Sequence, residues 1–330
     1  MGPGFAAVAG IGTMASYRGV TTILVPTTLH EHLTLPAGVH EVRYSPDEPV
    51  PDPEAEVLVV WGSGRRVLRD AATRLPRLRW VAGLAAGVDT ILEAGFAPDV
   101  VVTSGRGLHD GPVAEHTLAL VLACARRLPE LVRAQDERRW VAELGGIQEI
   151  RADEFRSLAG ARVVIWGFGS IAARLAPLLT ALGASVTGVA TTPGVRDGYH
   201  VVTPDELPGV LPAADLLISL LPGTPATRHA VDADVLALLP PHAWVVNVGR
   251  GATLDQDALL AAVRGGTLAG AALDVFEREP LPADSPIWDE PRILVSPHGA
   301  GGRPIGAGAL LEENLAAYLA GRPLRNTVER

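Results

Sequence analysis

The sequence predicts an α/β protein made of two doubly wound parallel-sheet domains. Short apolar, β-branched segments alternate with Gly- or Pro-marked turns and helical stretches through most of the chain. One of these segments leads into a glycine-rich turn and then a helix, within residues 161–177. The length of 330 residues is also more than one α/β core needs and suits two domains.

The glycine-rich turn lies in a complete strand–turn–helix–strand unit. Val163 to Trp166 forms one buried strand, Gly167 to Ala172 reads G-x-G-x-x-A, and a helical pattern follows from Ile171 to Leu182. Gly183 ends that helix, and Val186 to Ala190 forms the next strand. This order predicts a dinucleotide-binding unit in which the helix N-terminus faces a pyrophosphate. The glycines alone would also suit an ordinary tight turn.

The remaining elements divide the chain. Four strand candidates precede Gly111: Thr22–Val25, Glu56–Trp61, Leu78–Ala82 and Val100–Thr103. A long helix then begins at Val113, and strand candidates continue to residue 302. The last helix, Gly306–Leu319, is expected to return to the first domain. We therefore predict a disordered leader at 1–19, a discontinuous domain at 20–110 and 303–330, and a nucleotide-binding domain at 111–302.

Composition excludes several classes of function. The net charge of −9, with scattered arginines, argues against a nucleic-acid surface. The chain has no lysine, which excludes a Walker lysine and a Schiff-base lysine. The single cysteine, Cys124, lies in an apolar helical pattern and is expected in the core, so neither a disulfide framework nor a metal site is predicted. No apolar run approaches the roughly 18 residues of a membrane span, and residues 1–19 lack a positive n-region, so we expect a cytoplasmic protein.

Polar residues follow three buried strands of the second domain, where α/β sheets bind ligands. Arg250 follows VVNVG, Asp274 follows GAAL with Glu279 five residues later, and His298 follows ILVSP. The arginine can grip a carboxylate and polarise a carbonyl, the histidine can exchange a proton, and a carboxylate can hold the histidine in one tautomer. Together they indicate hydride transfer. Taken singly, these residues would also suit a strand cap, a solvated loop and a turn.

Six stretches carry a family resemblance: 84–91 (LAAGVDTI), 113–120 (VAEHTLAL), 166–172 (WGFGSIA), 246–251 (VNVGRG), 272–282 (ALDVFEREPLP) and 296–301 (SPHGAG). In order and spacing the chain resembles the D-isomer-specific 2-hydroxyacid dehydrogenases. The resemblance implies a Rossmann NAD(P)-binding domain, a discontinuous flavodoxin-like substrate domain, an active site in the cleft between them, a small 2-ketoacid or 2-hydroxyacid substrate and a homodimer.

By the same resemblance, Arg250, Glu279 and His298 fall on the catalytic triad. Asp274 falls on the residue that binds the nicotinamide carboxamide. The substrate carboxylate is expected on Arg250 and on the loop Leu84, Ala85, Ala86 and Gly87. The expected cofactor-binding residues are Gly167, Phe168, Gly169, Ser170, Ile171, Thr191, Thr192, Leu221, Pro222, Val248, Gly249, Asp274, His298 and Gly301.

The sequence departs from the family pattern at two places. Val189-Ala190-Thr191-Thr192 replaces the acidic residue that normally holds the ribose hydroxyls and repels a 2′-phosphate. Thr191, Thr192 and Arg196 are candidate donors to that phosphate, so we predict NAD(P) with a lean to NADP. Ser104 stands at a family asparagine position, beside a polar cluster, Arg106-Gly-Leu-His109-Asp110, that is either a solvated loop or functional.

Four functions compete. A 2-ketoacid reductase is preferred, and a dinucleotide-sensing regulator resembling the C-terminal-binding corepressors would keep the same triad. Formate dehydrogenases lack the glutamate found here as Glu279. Phosphoglycerate dehydrogenase is disfavoured because Trp61 and Gly83 stand where that subgroup places phosphate-binding arginines, although Arg65 and Arg66 lie nearby.

Overall fold

The computed structural model describes residues 20–147, 151 and 153–329. The leader predicted at 1–19 lies outside the described residues. The chain divides into two compact units, residues 20–109 with 303–329 and residues 110–302. No helix in the described part of the chain is long and apolar enough to cross a membrane.

The strands are β1 (Thr21–Pro26), β2 (Val39–Tyr44), β3 (Val57–Val60), β4 (Trp80–Gly83), β5 (Val101–Thr103), β6 (Arg162–Trp166), β7 (Ser185–Val189), β8 (Gly194–Arg196), β9 (Tyr199–Val202), β10 (Leu216–Ser219), β11 (Trp244–Asn247), β12 (Gly270–Leu273) and β13 (Ile293–Val295). The helices are α1 (Arg65–Arg74), α2 (Asp89–Leu92), α3 (Asp110–Ala125), α4 (Leu128–Asp136), α5 (Ser170–Ala181), α6 (Leu207–Val210), α7 (Ala233–Ala237), α8 (Gln256–Gly265) and α9 (Ala307–Leu319).

The first unit contains a parallel sheet in the order β2-β1-β3-β4-β5, which is the flavodoxin-like arrangement. Successive side chains of a strand point to opposite faces, so each strand feeds two cores. Leu24 packs on the face covered by α1 and α2, whereas Ile23 and Val25 pack on the face covered by α9. The last helix of the chain therefore belongs to the core of the first unit.

The second unit contains a sheet in the order β13-β12-β11-β10-β6-β7-β9-β8. Its central part, from β9 to β12, follows the 3-2-1-4-5-6 order of dinucleotide-binding folds. All its neighbouring strands are parallel except β8 and β9, which form an antiparallel hairpin at one edge. Helices α3 and α5 cover one face, and α7 and α8 cover the other. The predicted fold class of two doubly wound α/β units is confirmed.

Three strands were absent from the prediction. Strand β2 has only one fully buried residue, and β8 has none. Strand β9 is buried only in its last two residues. Because these strands lie near the sheet edges, their sequences lack the continuous apolar run that identified the central strands.

The long helix predicted over residues 113–128 both begins and ends three residues earlier than expected. Helix α3 starts at Asp110 and ends at Ala125, because Arg127 adopts a left-handed backbone (φ 53°) before α4 begins. Cys124 is buried in the core as expected, and burial raises the pKa of its thiol to about 12.

Candidate active site

The predicted residues of the second unit follow the carboxyl ends of its parallel strands. Since parallel strands end at one edge of a sheet, the turn after β6 and the loops after β7, β10, β11, β12 and β13 share that edge. Direct backbone contacts join several of these loops. A Cβ at Gly167 would lie 2.8 Å from the carbonyl carbon of Leu220, and one at Gly249 would lie 2.5 Å from the carbonyl oxygen of Leu221.

The glycine-rich turn has the geometry required for an anion. Gly167 adopts φ +102°, a backbone conformation that favours glycine. A Cβ at Gly169 would meet no described heavy atom within 4 Å, so the turn is open there. Helix α5 begins at Ser170, and no side chain caps its first N–H groups, so those of Ser170 and Ile171 are free to face a ligand. The turn therefore fits the pyrophosphate of a dinucleotide.

Phe168 takes part in the turn only through its backbone. Its ring is buried, 5.9 Å from the ring of Tyr199, and a Cβ at Gly188 would lie 2.5 Å from it. Its carbonyl accepts a hydrogen bond from Arg196 Nη1 at 2.9 Å, and Arg196 Nη2 donates to the Thr192 carbonyl at 2.8 Å. Arg196 thus ties the glycine-rich turn to the loop after β7, where Thr191 and Thr192 are exposed.

The loops after β10 and β11 supply mainly backbone. Leu221 and Val248 are buried, Gly249 is buried against Leu221, and Pro222 is exposed. These positions form a wall beside the glycine-rich turn, with Pro222 at its solvent side.

Arg250 stands on a loop that Asn247 braces from within. Asn247 is fully buried, and its Oδ1 accepts from Gly249 N at 3.1 Å while its Nδ2 donates to the Arg250 carbonyl at 3.2 Å. Thr253 Oγ1 donates to the same carbonyl at 2.7 Å. The guanidinium donates to the Gly249 carbonyl at 2.8 Å, and its other N–H groups have no acceptor among the described residues. Arg250 therefore has a fixed backbone and unused donors.

Glu279 and His298 form a direct pair. His298 Nδ1 lies 2.7 Å from Glu279 Oε2, and Glu279 Oε1 accepts from Phe276 N at 2.9 Å. Both side chains are partly exposed. A Cβ at Gly251 would lie 1.9 Å from the Phe276 carbonyl carbon, so the Arg250 loop packs against the loop that carries Glu279. The loop that carries Arg250 therefore contacts the loop that carries Glu279, and the side chain of Glu279 is hydrogen-bonded to His298 on a third loop.

Asp274 is fully buried and organises the loop that carries His298. Its Oδ1 accepts from Ser296 Oγ at 2.5 Å and Gly299 N at 2.8 Å, and its Oδ2 accepts from Ala300 N at 3.0 Å. Its carbonyl accepts from His298 N at 2.8 Å, where His298 adopts φ +53°. These bonds hold a non-glycine residue in the left-handed region. Gly301 follows, half-buried.

Three supporting residues were missed by sequence reasoning: Asn247, Ser296 and His116. His116 Nε2 lies 2.9 Å from Ser296 Oγ and 3.3 Å from Asp274 Oδ1. Each lies within a stretch that carried the family resemblance, and that was the available signal. Their partners could not be read from spacing because His116 and Ser296 are 180 residues apart.

In the first unit, the 84–87 loop follows β4 and presents free donors. Leu84 is buried, and its N–H donates to the Val60 carbonyl at 3.0 Å. Among the described residues, none accepts from the N–H groups of Ala85, Ala86 or Gly87. Successive unpaired backbone N–H groups form a concave site that suits an anion such as a carboxylate.

Comparison with known proteins agrees with these features. A family model described as "D-isomer specific 2-hydroxyacid dehydrogenase, NAD binding domain" matches residues 118–300. The chain is 33% identical to glyoxylate/hydroxypyruvate reductase A of Serratia proteamaculans over 259 residues, covering 76% of this chain and 78% of that protein. It is 30% identical to D-3-phosphoglycerate dehydrogenase of Methanocaldococcus jannaschii over 83% of this chain, but covers only 52% of that protein.

Two solved structures extend the comparison. A D-isomer specific 2-hydroxyacid dehydrogenase from Xanthobacter autotrophicus, in complex with NADPH and MES, has a TM-score of 0.75 and 33% identity, covering 94% of this chain and 98% of that one. An NADPH-dependent glyoxylate/hydroxypyruvate reductase from Sinorhizobium meliloti, in complex with NADP and sulfate, has a TM-score of 0.77 and 26% identity with the same coverages. The chain therefore belongs to the D-isomer specific 2-hydroxyacid dehydrogenases, a family of NAD(P)-dependent oxidoreductases that act on the CH–OH group of 2-hydroxyacids.

Proposed function

We propose that this enzyme is a 2-ketoacid reductase for small substrates of the glyoxylate and hydroxypyruvate class. The observation that carries the proposal is the Glu279–His298 pair at the strand-end edge that also holds the open glycine-rich turn. The names of the Serratia and Sinorhizobium relatives support the substrate class. A bound reduced nicotinamide cofactor supplies the hydride, and the protein must supply a proton and hold the substrate.

His298 is the proposed proton donor. Because Glu279 accepts at Nδ1, that nitrogen carries a proton, and Nε2 is the nitrogen left to serve the substrate. In reduction, an Nε2–H can pass its proton to the carbonyl oxygen as the hydride reaches the carbonyl carbon. In the reverse direction the same nitrogen takes the proton back.

Arg250 and the 84–87 loop are the proposed binding groups for the substrate. The unused N–H groups of Arg250 suit two-point binding of a carboxylate and polarisation of the adjacent carbonyl. The free N–H groups of Ala85, Ala86 and Gly87 are also suited to bind a carboxylate. Asp274 is proposed to accept from the nicotinamide carboxamide, in addition to holding the His298 loop.

For the cofactor we propose a preference for NADP. Ala190 follows β7 at the position where a carboxylate would repel a 2′-phosphate, and Thr191 and Thr192 are exposed beside it. Arg196 places its guanidinium at the same loop, and the donors it does not use on Phe168 and Thr192 can serve a phosphate. The NADPH complex of the Xanthobacter relative supports this choice.

We also propose a homodimer formed through α4 and the segment after it. Leu131, Val132, Trp140 and Ile147 are all exposed, and Trp140 is 88% exposed. A run of large exposed apolar side chains on one segment is typical of a protein interface. Sedimentation equilibrium would test this, since a monomer mass at micromolar concentration would contradict it, and Val132→Arg should weaken the dimer.

The deciding experiment is a substrate screen. Purified protein is mixed with NADH or NADPH and with glyoxylate, hydroxypyruvate, pyruvate or a longer 2-ketoacid, and the absorbance of the reduced cofactor is followed. We expect turnover with glyoxylate and hydroxypyruvate, and a higher catalytic efficiency with NADPH than with NADH. Tight cofactor binding without turnover on any 2-ketoacid would instead favour the dinucleotide-sensing regulator. Oxidation of 3-phosphoglycerate with high efficiency would favour the phosphoglycerate dehydrogenase alternative.

A further inference from the structure

His109 contradicts the solvated-loop interpretation of the Arg106–Asp110 cluster. Its side chain is only 5% exposed, and its ring lies 5.5 Å from the ring of Trp61. Its Nε2 lies 2.7 Å from the carbonyl oxygen of Leu84. Arg106 alone in the cluster is an exposed charged side chain, since Asp110 is buried too. His109 therefore touches the first residue of the 84–87 loop from inside the first unit.

The partner of Nε2 shows that this nitrogen of His109 is a donor. A carbonyl oxygen only accepts, so Nε2 carries the proton and donates. Nδ1 is buried without a hydrogen-bond partner among the described residues. The imidazole is thus held by one hydrogen bond and by its contact with Trp61, and its Nε2–H is a donor to the loop.

A second contact holds the next peptide of the loop. Gly105 N donates to the Ala85 carbonyl at 2.8 Å, and a Cβ at Gly105 would lie 1.9 Å from the Leu84 carbonyl oxygen. Only glycine allows this approach. Asn326 Nδ2 in turn donates to the carbonyls of Ser104 and Arg106, at 3.2 and 2.9 Å. The segment 104–106, which contacts the 84–87 loop, is therefore itself held in place by hydrogen bonds.

The planarity of the peptide bond converts these contacts into a direction for the free N–H groups. In a trans peptide the C=O and the following N–H point in opposite directions. With the Leu84 carbonyl turned toward His109, the N–H of Ala85 must point away from His109. With the Ala85 carbonyl turned toward Gly105, the N–H of Ala86 must point away from Gly105. The two unpaired donors are thus aimed by the two carbonyls behind them.

We propose that His109 is a positioning residue for substrate binding: its Nε2–H fixes the Leu84 peptide so that the Ala85 N–H faces the carboxylate of the 2-ketoacid. The inference rests on the proposed function, in which this loop binds that carboxylate. His109 neither touches the substrate nor exchanges a proton in this role.

The test separates the hydrogen bond from the ring contact. His109→Phe keeps an aromatic ring beside Trp61 but removes the donor, whereas His109→Gln supplies an N–H of similar reach. The KM for glyoxylate or hydroxypyruvate should rise about tenfold in His109→Phe, as expected for a carbonyl that loses one buried hydrogen bond. The KM for NADPH should not change, and His109→Gln should recover most of the loss. His32→Phe, at an exposed histidine of the same unit, is the matched control.

Each result decides the question. An unchanged ketoacid KM in His109→Phe, or a Gln variant no better than Phe, overturns the positioning role. His109→Leu is made alongside, and loss of NADPH binding in both Phe and Leu variants would make His109 a folding residue, which also overturns it. A wild-type enzyme that turns over no 2-ketoacid refutes the proposed function itself. Exchange of the Leu84 amide hydrogen, which is bonded to the Val60 carbonyl, should be faster in His109→Phe than in wild type, and should return to the wild-type rate in His109→Gln.

Discussion

His298 Nδ1 lies 2.7 Å from Glu279 Oε2, and the peptide N–H of Phe276 holds the other oxygen of the same carboxylate at 2.9 Å. The carboxylate is therefore fixed before it orients the imidazole. The carboxylate keeps a proton on Nδ1 of His298, and Nε2 is left for the substrate. The backbone of His298 is fixed as well, since its N–H donates to the Asp274 carbonyl at 2.8 Å.

The pair predicts unequal effects of two substitutions. His298→Ala removes the proton donor, and we expect kcat for ketoacid reduction to fall by about 10²–10⁴-fold, the usual contribution of general acid catalysis. Glu279→Gln keeps the shape and the contact with Phe276 but removes the charge, so its loss should be smaller. Steady-state kinetics with saturating NADPH measure both. Glu277→Gln is the matched control, because Glu277 forms a separate pair with His229 at 3.1 Å. If Glu279→Gln is as damaging as His298→Ala, the glutamate does more than orient the histidine.

Arg250 predicts a loss specific to the ketoacid. Arg250→Ala removes a two-point carboxylate contact, which typically costs about 2–5 kcal/mol when the pair is partly desolvated. The KM for the ketoacid should rise and kcat should fall, with NADPH affinity nearly unchanged. Arg264→Ala, an arginine on α8 of the same unit, should leave all three unchanged. Wild-type catalytic efficiency in Arg250→Ala would remove this residue from the site.

The sequence was sufficient to predict the central strands of both sheets and the polar residues that follow them. These strands are buried on both faces and read as continuous apolar runs, and the next polar residue marks the edge where ligands bind. It was not sufficient for β2, β8 and β9, because their exposed residues interrupt the apolar pattern.

The sequence also could not show which polar residues support the site. The partners of Asp274 come from the loop at 296–300 and, through Ser296, from His116 on α3, so their meeting depends on the tertiary fold. The same limit applies to His109. A histidine in a Gly-rich polar stretch reads as solvated, and only the packing of Trp61 and Leu84 around it shows that it is buried.

A structural prediction concerns Asp215, at the amino end of β10. It accepts from Arg162 N at 2.7 Å and His242 Nε2 at 2.8 Å. Burial raises the pKa of its carboxyl, but the hydrogen bonds from Arg162 and His242 outweigh burial, and the net pKa lies below its usual value. A lowered folded-state pKa contributes stability above the unfolded value of about 3.9, and this contribution is lost as pH falls through the folded value.

We therefore expect Asp215→Asn to lower the free energy of unfolding by about 1–3 kcal/mol at pH 7, as for a buried hydrogen-bond network that loses its charged acceptor. The difference from wild type should shrink as the pH is lowered below about 4, where the unfolded carboxyl takes up a proton. Urea unfolding of both proteins at a series of pH values measures this difference in the free energy of unfolding. Asp205→Asn, at an exposed position, should show no such trend. A difference that stays constant down to pH 3 would mean that the charge of Asp215 is not what stabilises this edge.

The final prediction concerns the choice of cofactor. Ala190→Asp introduces a carboxylate after β7, where it can accept from ribose hydroxyls and repel a 2′-phosphate. The ratio of catalytic efficiency with NADH to that with NADPH should therefore increase. Arg196→Leu should increase the same ratio by another route, because it removes a positive charge beside Thr192.

Arg196 also braces the glycine-rich turn through the Phe168 carbonyl, so its loss should weaken both cofactors. A purely structural role would weaken NADH and NADPH equally and leave the ratio unchanged. A role in phosphate binding would weaken NADPH more, by about tenfold for the loss of a charge-assisted contact worth roughly 1.5 kcal/mol. If neither substitution moves the ratio, the loop after β7 does not select the cofactor, and discrimination must come from another part of the adenosine site.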